Sequence, residues 1–257
     1  MARDIIALDP FARFRAATRA RIGLGRAGDG LPTTALLEFQ LAHAKARDAV
    51  HGAVDWDALE EHLPAPAIRV KSLAADRSTY LRRPDLGRRL DPSCAHLLSK
   101  GDWDLALVIG DGLSAAAVHT WAVPVVWALH MRLGCLSMAP LVLAEQARVA
   151  LADPIGEALG ARISVMLIGE RPGLSVADSL GIYMTHGPRS GRRDGERNCL
   201  SNIHAHGLAP AAAADKLVWL IRQSLRLGLS GVGLKEETPS LQPGQGPTPG
   251  LLPPSSD

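Results

Sequence analysis

The fold follows from residues 107–115, whose sequence is LVIGDGLSA. The apolar start of this stretch is typical of a buried strand, the two glycines allow a tight turn, and Ser114 stands where a helix begins. Buried runs of this kind are expected at 105–109, 140–143 and 163–168, with longer helical patterns between them. Short strands that alternate with helices are typical of a parallel sheet covered on both faces. The sequence therefore predicts an α/β domain with a Rossmann-like parallel sheet.

Three helical stretches belong to this domain, at residues 114–133, around 155–159 and at 210–227. The last one begins with Pro210, a residue favoured in a first helical turn, and ends before Gly228. Right-handed crossovers place the loops after parallel strands on one edge of the sheet, where open α/β folds usually bind ligands. We therefore expect functional residues in those loops.

The regions on either side of this domain have different patterns. Residues 10–62 repeat apolar side chains every three or four positions, which predicts a helical lobe whose second helix Thr33 or Thr34 could cap. Residues 65–92 are polar and interrupted by proline and glycine, which predicts a connector. Residues 238–257 are rich in Pro, Gly and Ser and are expected to be disordered. The predicted division is 1–92 for lobe and connector, 93–237 for the α/β domain and 238–257 for the tail.

The composition limits the classes of partner. The 257 residues carry 28 Lys and Arg against 26 Asp and Glu, and a net charge of +2 gives no field that would attract nucleic acid or a membrane surface. No apolar run approaches the roughly 20 residues of a membrane-spanning helix, and residues 1–10 lack the pattern of a secretory signal. The three widely spaced cysteines suit free thiols in a reducing cytoplasm. We expect a soluble, cytoplasmic protein.

The glycine turn also permits a second function. In Rossmann domains a strand, a glycine turn and a helix start together hold a pyrophosphate. Gly110 and Gly112 supply the first two glycines of that motif, and Ala115 stands in the third place. No clear acidic residue follows at the distance where such domains bind a ribose. The alternative hypothesis is a free-standing Rossmann-like nucleotide-binding oxidoreductase.

The segment 196–204 crowds polar residues beside Cys199. A thiol nucleophile needs a base such as His204 nearby, but a buried or ligand-facing small thiol is the more frequent role. His186, His204 and His206 have no carboxylate or thiolate at the spacing of a recognised metal site, so we predict no metal site. The chain also lacks the GxSxG elbow of serine hydrolases and the GxxxxGK[ST] loop of nucleoside-triphosphate sites.

Six segments together resemble the ethanolamine ammonia-lyase small subunit, in order and in spacing. They are RRPDLGRRL (82–90), VIGDGLS (108–114), RVALADPIGE (148–157), IGERPGL (168–174), RNCLSNIH (197–204) and LSGVGL (229–234). The likeness extends from about Asp9 to Lys235. Each segment alone is a weak signal, whereas chance agreement of all six in order is improbable.

The resemblance implies a two-subunit enzyme that uses adenosylcobalamin. In this family a large subunit with a TIM barrel binds ethanolamine and carries the reacting residues, and the subunits form a higher-order hetero-oligomer. The cofactor lies between the subunits, and homolysis of its cobalt–carbon bond starts a radical rearrangement that yields acetaldehyde and ammonia. The resemblance therefore implies that this chain forms part of the cobalamin site, holds no catalytic residue and is inactive alone.

The family's contacts with the corrin ring fall on Val149, Glu170 and Cys199 of this sequence. Val149 is expected to press on the apolar face of the ring, and Glu170 and Cys199 are expected on loops that meet its amide side chains. The chain lacks the Asp-x-His-x-x-Gly motif by which other cobalamin proteins offer a histidine to cobalt. The resemblance thus implies that the lower ligand of the cobalt is the cofactor's own base.

Better-known members of the family carry a longer N-terminal extension that is linked to packaging in a bacterial microcompartment. Here the helical lobe begins almost at Met1, and the proline-rich tail after Lys235 lies outside the family pattern. We expect a cytoplasmic enzyme subunit, and the sequence leaves its packaging in a microcompartment open.

Overall fold

The computed structural model describes residues 9–18 and 20–235. Its helices are α1 (Ala12–Ala17), α2 (Thr33–His51), α3 (Trp56–Glu60), α4 (Arg77–Arg82), α5 (Ala115–Ala117), α6 (Val123–His130), α7 (Ala152–Leu159) and α8 (Pro210–Leu227). Its strands are β1 (Ala67–Lys71), β2 (Trp103–Gly110), β3 (Leu141–Glu145), β4 (Ala161–Gly169), β5 (Leu180–His186) and β6 (Arg197–Ile203). The predicted disorder of residues 238–257 falls outside the described residues. Across the described ranges, no helix combines the length and the apolar content that a membrane crossing requires.

The six strands form one mixed sheet in the order β1-β3-β2-β4-β5-β6. The pairs among β1, β3, β2 and β4 are parallel, whereas β5 and β6 are antiparallel to their neighbours. The predicted α/β class is confirmed, but a Rossmann-like parallel sheet is not, because β5 and β6 make the sheet mixed. Only the segments 170–179 and 187–196 precede these two strands. Such short connections without an α-helix suit an antiparallel return better than a parallel crossover.

The core lies on both faces of the sheet, as the continuous apolar runs predict. Along β2, the side chains of Leu105, Leu107 and Ile109 pack in the layer that contains α6 and α8. The alternate residues Ala106 and Val108 pack in the layer that contains α7. Because successive side chains on a strand point to opposite faces, both layers need apolar residues, and β2 has no polar face.

The predicted helix at 114–133 is interrupted by one wider turn. Five residues, Val118–Ala122, form a π-helical turn between α5 and α6. The turn ends just before Pro124, which has no N–H to continue the regular hydrogen-bond pattern. Helix α8, in contrast, spans Pro210–Leu227 as predicted and ends at Gly228 in the left-handed conformation.

The N-terminal region is helical as predicted, but its apolar side chains are largely exposed. The only buried residue of α2 is Ala49, while Leu37 and Leu41 are 57% and 55% exposed. The predicted threonine cap is wrong, because α2 begins at Thr33 and no side chain, that of Thr34 included, caps its first turn. A residue already inside the first turn is not placed to cap it. This helix therefore gains little stability from the rest of the chain.

Residues 65–92 are more ordered than the predicted connector. They contribute β1 and α4, and Asp76 caps α4 by accepting a hydrogen bond from the Thr79 amide at 2.8 Å. The Tyr80 side chain is fully buried, and its hydroxyl donates to the Ala147 carbonyl at 2.9 Å. The sequence did not indicate these elements and contacts, because the segment is mostly polar and only some of its positions face the core. The domain limits given above stay a prediction.

The turn after β2 packs directly against the end of β4. Gly112 has a φ of +59°, and a Cβ atom on it would lie 2.2 Å from the Gly169 carbonyl oxygen, so no larger residue fits. The Leu113 amide donates to that same carbonyl at 2.9 Å. Ser114 caps α5, as predicted, by accepting from the Ala117 amide at 3.2 Å.

The buried Asp111 carboxylate joins the turn after β2 to the turn after β3. It accepts hydrogen bonds from the amides of Gly112, Gln146 and Ala147 at 2.9, 3.0 and 2.8 Å. Arg77 adds a contact at 3.3 Å. Burial nevertheless raises the pKa of Asp111 to about 6, since these donors only partly offset the loss of hydration.

A buried ion pair fixes β6 to the rest of the domain. The two terminal nitrogens of the Arg197 guanidinium donate to the carboxylate oxygens of Asp153 on α7, at 2.6 and 2.7 Å. Each side chain is only 2% exposed. Arg197 also donates to the Thr185 hydroxyl and the Arg192 carbonyl, at 2.9 and 3.0 Å. This single side chain thus connects α7, β5, β6 and the segment between the two strands.

We predict that Arg197→Met lowers the free energy of unfolding by about 3–5 kcal/mol, because it leaves the Asp153 carboxylate buried without its partner. Urea unfolding followed by circular dichroism measures the loss. The control is Arg162→Met, which removes an exposed pair with Asp104 and should cost less than about 1 kcal/mol. Equal losses in the two variants would contradict the prediction.

We also predict a pH dependence from Asp111. Its folded-state pKa of about 6 exceeds the ordinary 3.8, so between these values the folded chain holds a proton that the unfolded chain has lost. The carboxyl's contribution to stability therefore falls as the pH rises from about 4 to 6. The measurement is the difference in unfolding free energy between the native chain and Asp111→Asn at several pH values. A difference that grows in favour of the native chain as the pH rises would show that the hydrogen bonds outweigh burial.

Candidate functional site

The three residues predicted to contact a corrin ring lie in different structural elements. Val149 begins a 3₁₀ turn, Val149–Leu151, that follows β3, and Glu170 comes directly after β4. Both positions lie beyond the carboxyl ends of parallel strands, as predicted. Cys199 lies in the middle of β6 instead, so the prediction that it sits on a loop is wrong.

The structure nevertheless brings these residues to two adjoining cavities of about 370 Å³ each. The first, called the Glu170 cavity, is lined by Tyr80, Gly112, Leu113, Arg148, Val149, Ile168, Gly169, Glu170, Arg171 and Tyr183. The second, called the Cys199 cavity, is lined by Arg88, Arg148, Val149, Ala150, Tyr183, Asp194, Arg197 and Cys199. The cavities share Arg148, Val149 and Tyr183, so Val149 lies between Glu170 and Cys199.

Tyr183 of β5 forms the floor that the two cavities share. It is the cross-strand neighbour of Cys199, so the two side chains lie on the same face of the sheet. Gly181, two residues earlier, also faces this side, and a Cβ atom on it would lie 2.8 Å from Oε1 of Glu170. A glycine at this position therefore lets the Glu170 side chain lie against the sheet beside Tyr183.

The Glu170 carboxylate is oriented through one of its two oxygens. Oε2 accepts a hydrogen bond from the Ser179 hydroxyl at 2.6 Å and a longer one from the Asn202 amide at 3.4 Å. Among the described residues, none donates to Oε1. The second oxygen is therefore available to an N–H donor from outside the chain, such as an amide side chain.

The groups on the floor of the site are uncharged at neutral pH. Cys199 is exposed at the surface of this chain, but partial desolvation of its thiol raises the pKa above the ordinary value, and the hydrogen bond with Tyr183 offsets this only in part. Burial also raises the pKa of Tyr183, and the neighbouring thiol adds to the effect. A protonated thiol is a weak nucleophile, so these directions favour a ligand-facing role for Cys199 over nucleophilic catalysis.

Arg148, which the sequence analysis did not single out, lies between the two cavities. Its guanidinium stacks on the Tyr80 ring, 4.2 Å from the centroid, and donates to the Tyr80 carbonyl at 3.2 Å. Its Nε atom is buried and has no hydrogen-bond partner. The sequence signal that could have identified Arg148 is its position immediately before Val149 in the segment RVALADPIGE.

The candidate metal ligands are spread over the sheet. His186 ends β5, whereas His204 follows β6 and lies beyond the opposite end of β5, since the two strands are antiparallel. His204 and His206 instead line a separate cavity of about 770 Å³, together with Lys45 and Asp178. Over residues 9–18 and 20–235, no group of three or more His, Cys, Asp and Glu side chains is placed to hold a metal ion.

The glycine turn does not favour the nucleotide-binding alternative. Three amides of the turn and helix start already donate within the chain, those of Gly112 to Asp111, Leu113 to Gly169 and Ala117 to Ser114. The Ser114 hydroxyl in turn donates to the Ala177 carbonyl at 2.8 Å, so a neighbouring loop covers the start of α5. These contacts reduce the number of amides that could bind a pyrophosphate.

Comparison with known proteins identifies the family. A family model described as ethanolamine ammonia-lyase light chain matches residues 8–235. Proteins named ethanolamine ammonia-lyase small subunit are similar throughout their length. The one from Azotobacter vinelandii is 52% identical over 240 residues, which are 89% of each chain. The one from Ralstonia nicotianae is 51% identical over 250 residues, which are 92% of this chain and 93% of the relative. This chain belongs to the family of ethanolamine ammonia-lyase small subunits.

Proposed function

We propose that the chain is the small subunit of an adenosylcobalamin-dependent ethanolamine ammonia-lyase and forms one wall of the cofactor site. The observation that supports this most directly is the position of Val149, Glu170 and Cys199 around two adjoining cavities with a common floor. Its relatives carry the name small subunit, which supports a large subunit as the partner. We place the residues that bind and convert ethanolamine on that large subunit.

The chemistry of these residues fits a corrin ring. A corrin is a flat, apolar ring whose rim carries neutral amide side chains. Val149 offers an apolar surface that packs against the core on its other side. Glu170 keeps Oε1 for an amide N–H, and the protonated Cys199 and Tyr183 add no charge beneath the ring. The bound cofactor would supply the radical that starts the conversion of ethanolamine to acetaldehyde and ammonia.

The work of this chain is to bind and orient the cofactor and to exclude water from one side of it. Arg197 holds β6, and thereby Cys199, in place, while Asp111 fixes the turns that precede Val149 and follow β2. In the two cavities we find no matched pair of general acid and general base that could act on ethanolamine. The chain alone is therefore proposed to be inactive.

Exposed apolar surface supports a partner subunit. Large apolar side chains that remain exposed are Phe11, Phe14, Leu31, Leu36, Leu37, Phe39, Leu41, Leu97, Trp127, Met131, Leu174, Leu227, Leu229 and Val232. Seven of the fourteen lie in the N-terminal region, where α2 is hardly buried. Clustered apolar surface of this kind is a feature of protein interfaces. We place the assembly, a higher-order hetero-oligomer, in the cytoplasm and leave its packaging in a microcompartment outside the proposal.

We predict that the chain, co-expressed with the large-subunit gene of the same organism, forms a complex that converts ethanolamine to acetaldehyde when adenosylcobalamin is added. Alcohol dehydrogenase and NADH provide the readout, through the reduction of acetaldehyde. The separately purified small subunit should give no acetaldehyde, because it lacks the reacting groups. A correctly assembled complex without turnover would refute the proposed activity, and turnover by the small subunit alone would refute its division between the subunits.

We also predict that Glu170→Ala combined with Cys199→Ala weakens adenosylcobalamin binding by the complex about tenfold or more. The estimate corresponds to the loss of one hydrogen bond to a charged group together with a packing contact. Equilibrium dialysis measures the dissociation constant. The matched control combines Glu61→Ala with Cys135→Ala, which removes the same two residue types at exposed positions outside both cavities and outside α2. Unchanged affinity in the first variant would favour a scaffold that does not hold the cofactor.

A further inference from the structure

Two arginines of the Cys199 cavity have no carboxylate partner. Arg148 forms no ion pair among the described residues, and its buried Nε atom lacks any hydrogen-bond partner. Arg88 lines the same cavity, is exposed, and makes no side-chain hydrogen bond or ion pair with the described part of the chain. Arg197, in the same cavity, also has a buried Nε without a hydrogen-bond partner, but its charge is paired with Asp153. Arg88 and Arg148 differ from it because no carboxylate of the described chain pairs with them, so the site lacks an anion that could accept from them.

The backbone holds these two arginines close to each other. The Arg148 amide donates to the Gly87 carbonyl at 2.8 Å, so the turn that carries Arg88 lies directly against the turn that carries Val149. The segment RRPDLGRRL, predicted from its sequence to be a connector, therefore places the cationic side chain of Arg88 at the edge of the cavity. The ion pair within this segment, Arg83 with Asp85, is exposed and does not involve Arg88.

The other ion pairs near the cavity do not involve Arg88 or Arg148. Arg197 is paired with Asp153 and approaches Asp194 at 3.7 Å, so these three groups together leave one negative charge. Arg192, in an adjoining cavity that also contains Arg88, is paired with Glu196. Because Arg88 and Arg148 add two positive charges, the cavity keeps a net positive charge, and an anion on the ligand would complete the site.

We propose that Arg88 and Arg148 bind the phosphodiester of the cofactor's nucleotide loop. This inference rests on the proposed function. The amide side chains around the corrin rim are neutral, and the phosphodiester between the ring and the lower base is the negatively charged group of the loop. Guanidinium groups suit phosphate oxygens, because their N–H donors are fixed in a planar fork. Glu170 would then accept from amide N–H groups at one cavity while the arginines donate to phosphate at the other.

A carboxylate of the large subunit is the competing anion for these arginines. The cavity favours the phosphate, because the same eight residues that line it include Val149 and Cys199, which we assign to the corrin. The cofactor phosphate and a carboxylate of the large subunit can be distinguished by experiment. A phosphate contact changes selectivity among corrinoids, whereas a contact with the partner changes assembly of the subunits.

The test compares three probes on the assembled two-subunit complex. Adenosylcobinamide lacks the phosphate and the nucleoside, and adenosylcobinamide phosphate lacks only the nucleoside. Adenosylcobalamin is the complete cofactor. Equilibrium dialysis gives a dissociation constant for each. The native complex should prefer adenosylcobinamide phosphate to adenosylcobinamide by roughly 10- to 100-fold, the range expected for hydrogen bonds between charged groups. The double variant Arg88→Gln with Arg148→Met should reduce this preference to less than about threefold without changing adenosylcobinamide affinity.

Two further variants keep the result interpretable. Arg148→Lys retains the charge but loses the fork, and should give an intermediate preference. Arg82→Gln removes a neighbouring exposed arginine that lines neither cavity, and should leave the preference unchanged. An unchanged preference in the double variant overturns the phosphate assignment, and so does loss of subunit assembly, which assigns the arginines to the partner. Failure of the native complex to bind any of the three corrinoids refutes the proposed function itself, a result distinct from either of these.

Discussion

The buried pair between Asp153 and Arg197 is the constraint on which the antiparallel part of the sheet depends. Removing both charges from water is costly, and the cost is offset only because the contact is bidentate and Arg197 has further acceptors in Thr185 and the Arg192 carbonyl. A hydrophobic pair could give similar stability, but it would not define one geometry. The arginine fork fixes the position and orientation of β6 on α7, and with them the position of Cys199.

The candidate site lies where the two halves of the sheet meet. The parallel half supplies Val149 and Glu170 beyond its strand ends, and the antiparallel half supplies Tyr183 and Cys199 on an open face. A wholly parallel sheet would have placed a crossover helix over that face. Because the short segments before β5 and β6 hold no α-helix, the face next to α7 stays open to a flat ligand. The change from parallel to antiparallel pairing is therefore what creates the floor of the site.

The sequence predicts the buried central strands of this fold well and the edge strand β6 poorly. Strands β2, β3 and β4 and helix α8 were predictable, since continuous apolar runs and terminal Pro and Gly are local signals. Strand β6 contains Arg197, Asn198, Ser201 and Asn202, and its pattern carries no strand signal, because its partners lie elsewhere in the chain. The site residues came from resemblance to a family and not from a pattern. The roles of Tyr183 and Arg148 depend on strand register and stacking, which no local pattern records.

Two features that are unfavourable for an isolated chain have a common explanation. Apolar side chains of α2 face water, and the Nε atom of Arg148 is buried without an acceptor. The first exposes apolar surface and the second leaves a polar group unsatisfied. Both features agree with the half-site proposed above, in which a ligand and a second polypeptide would supply the remaining contacts.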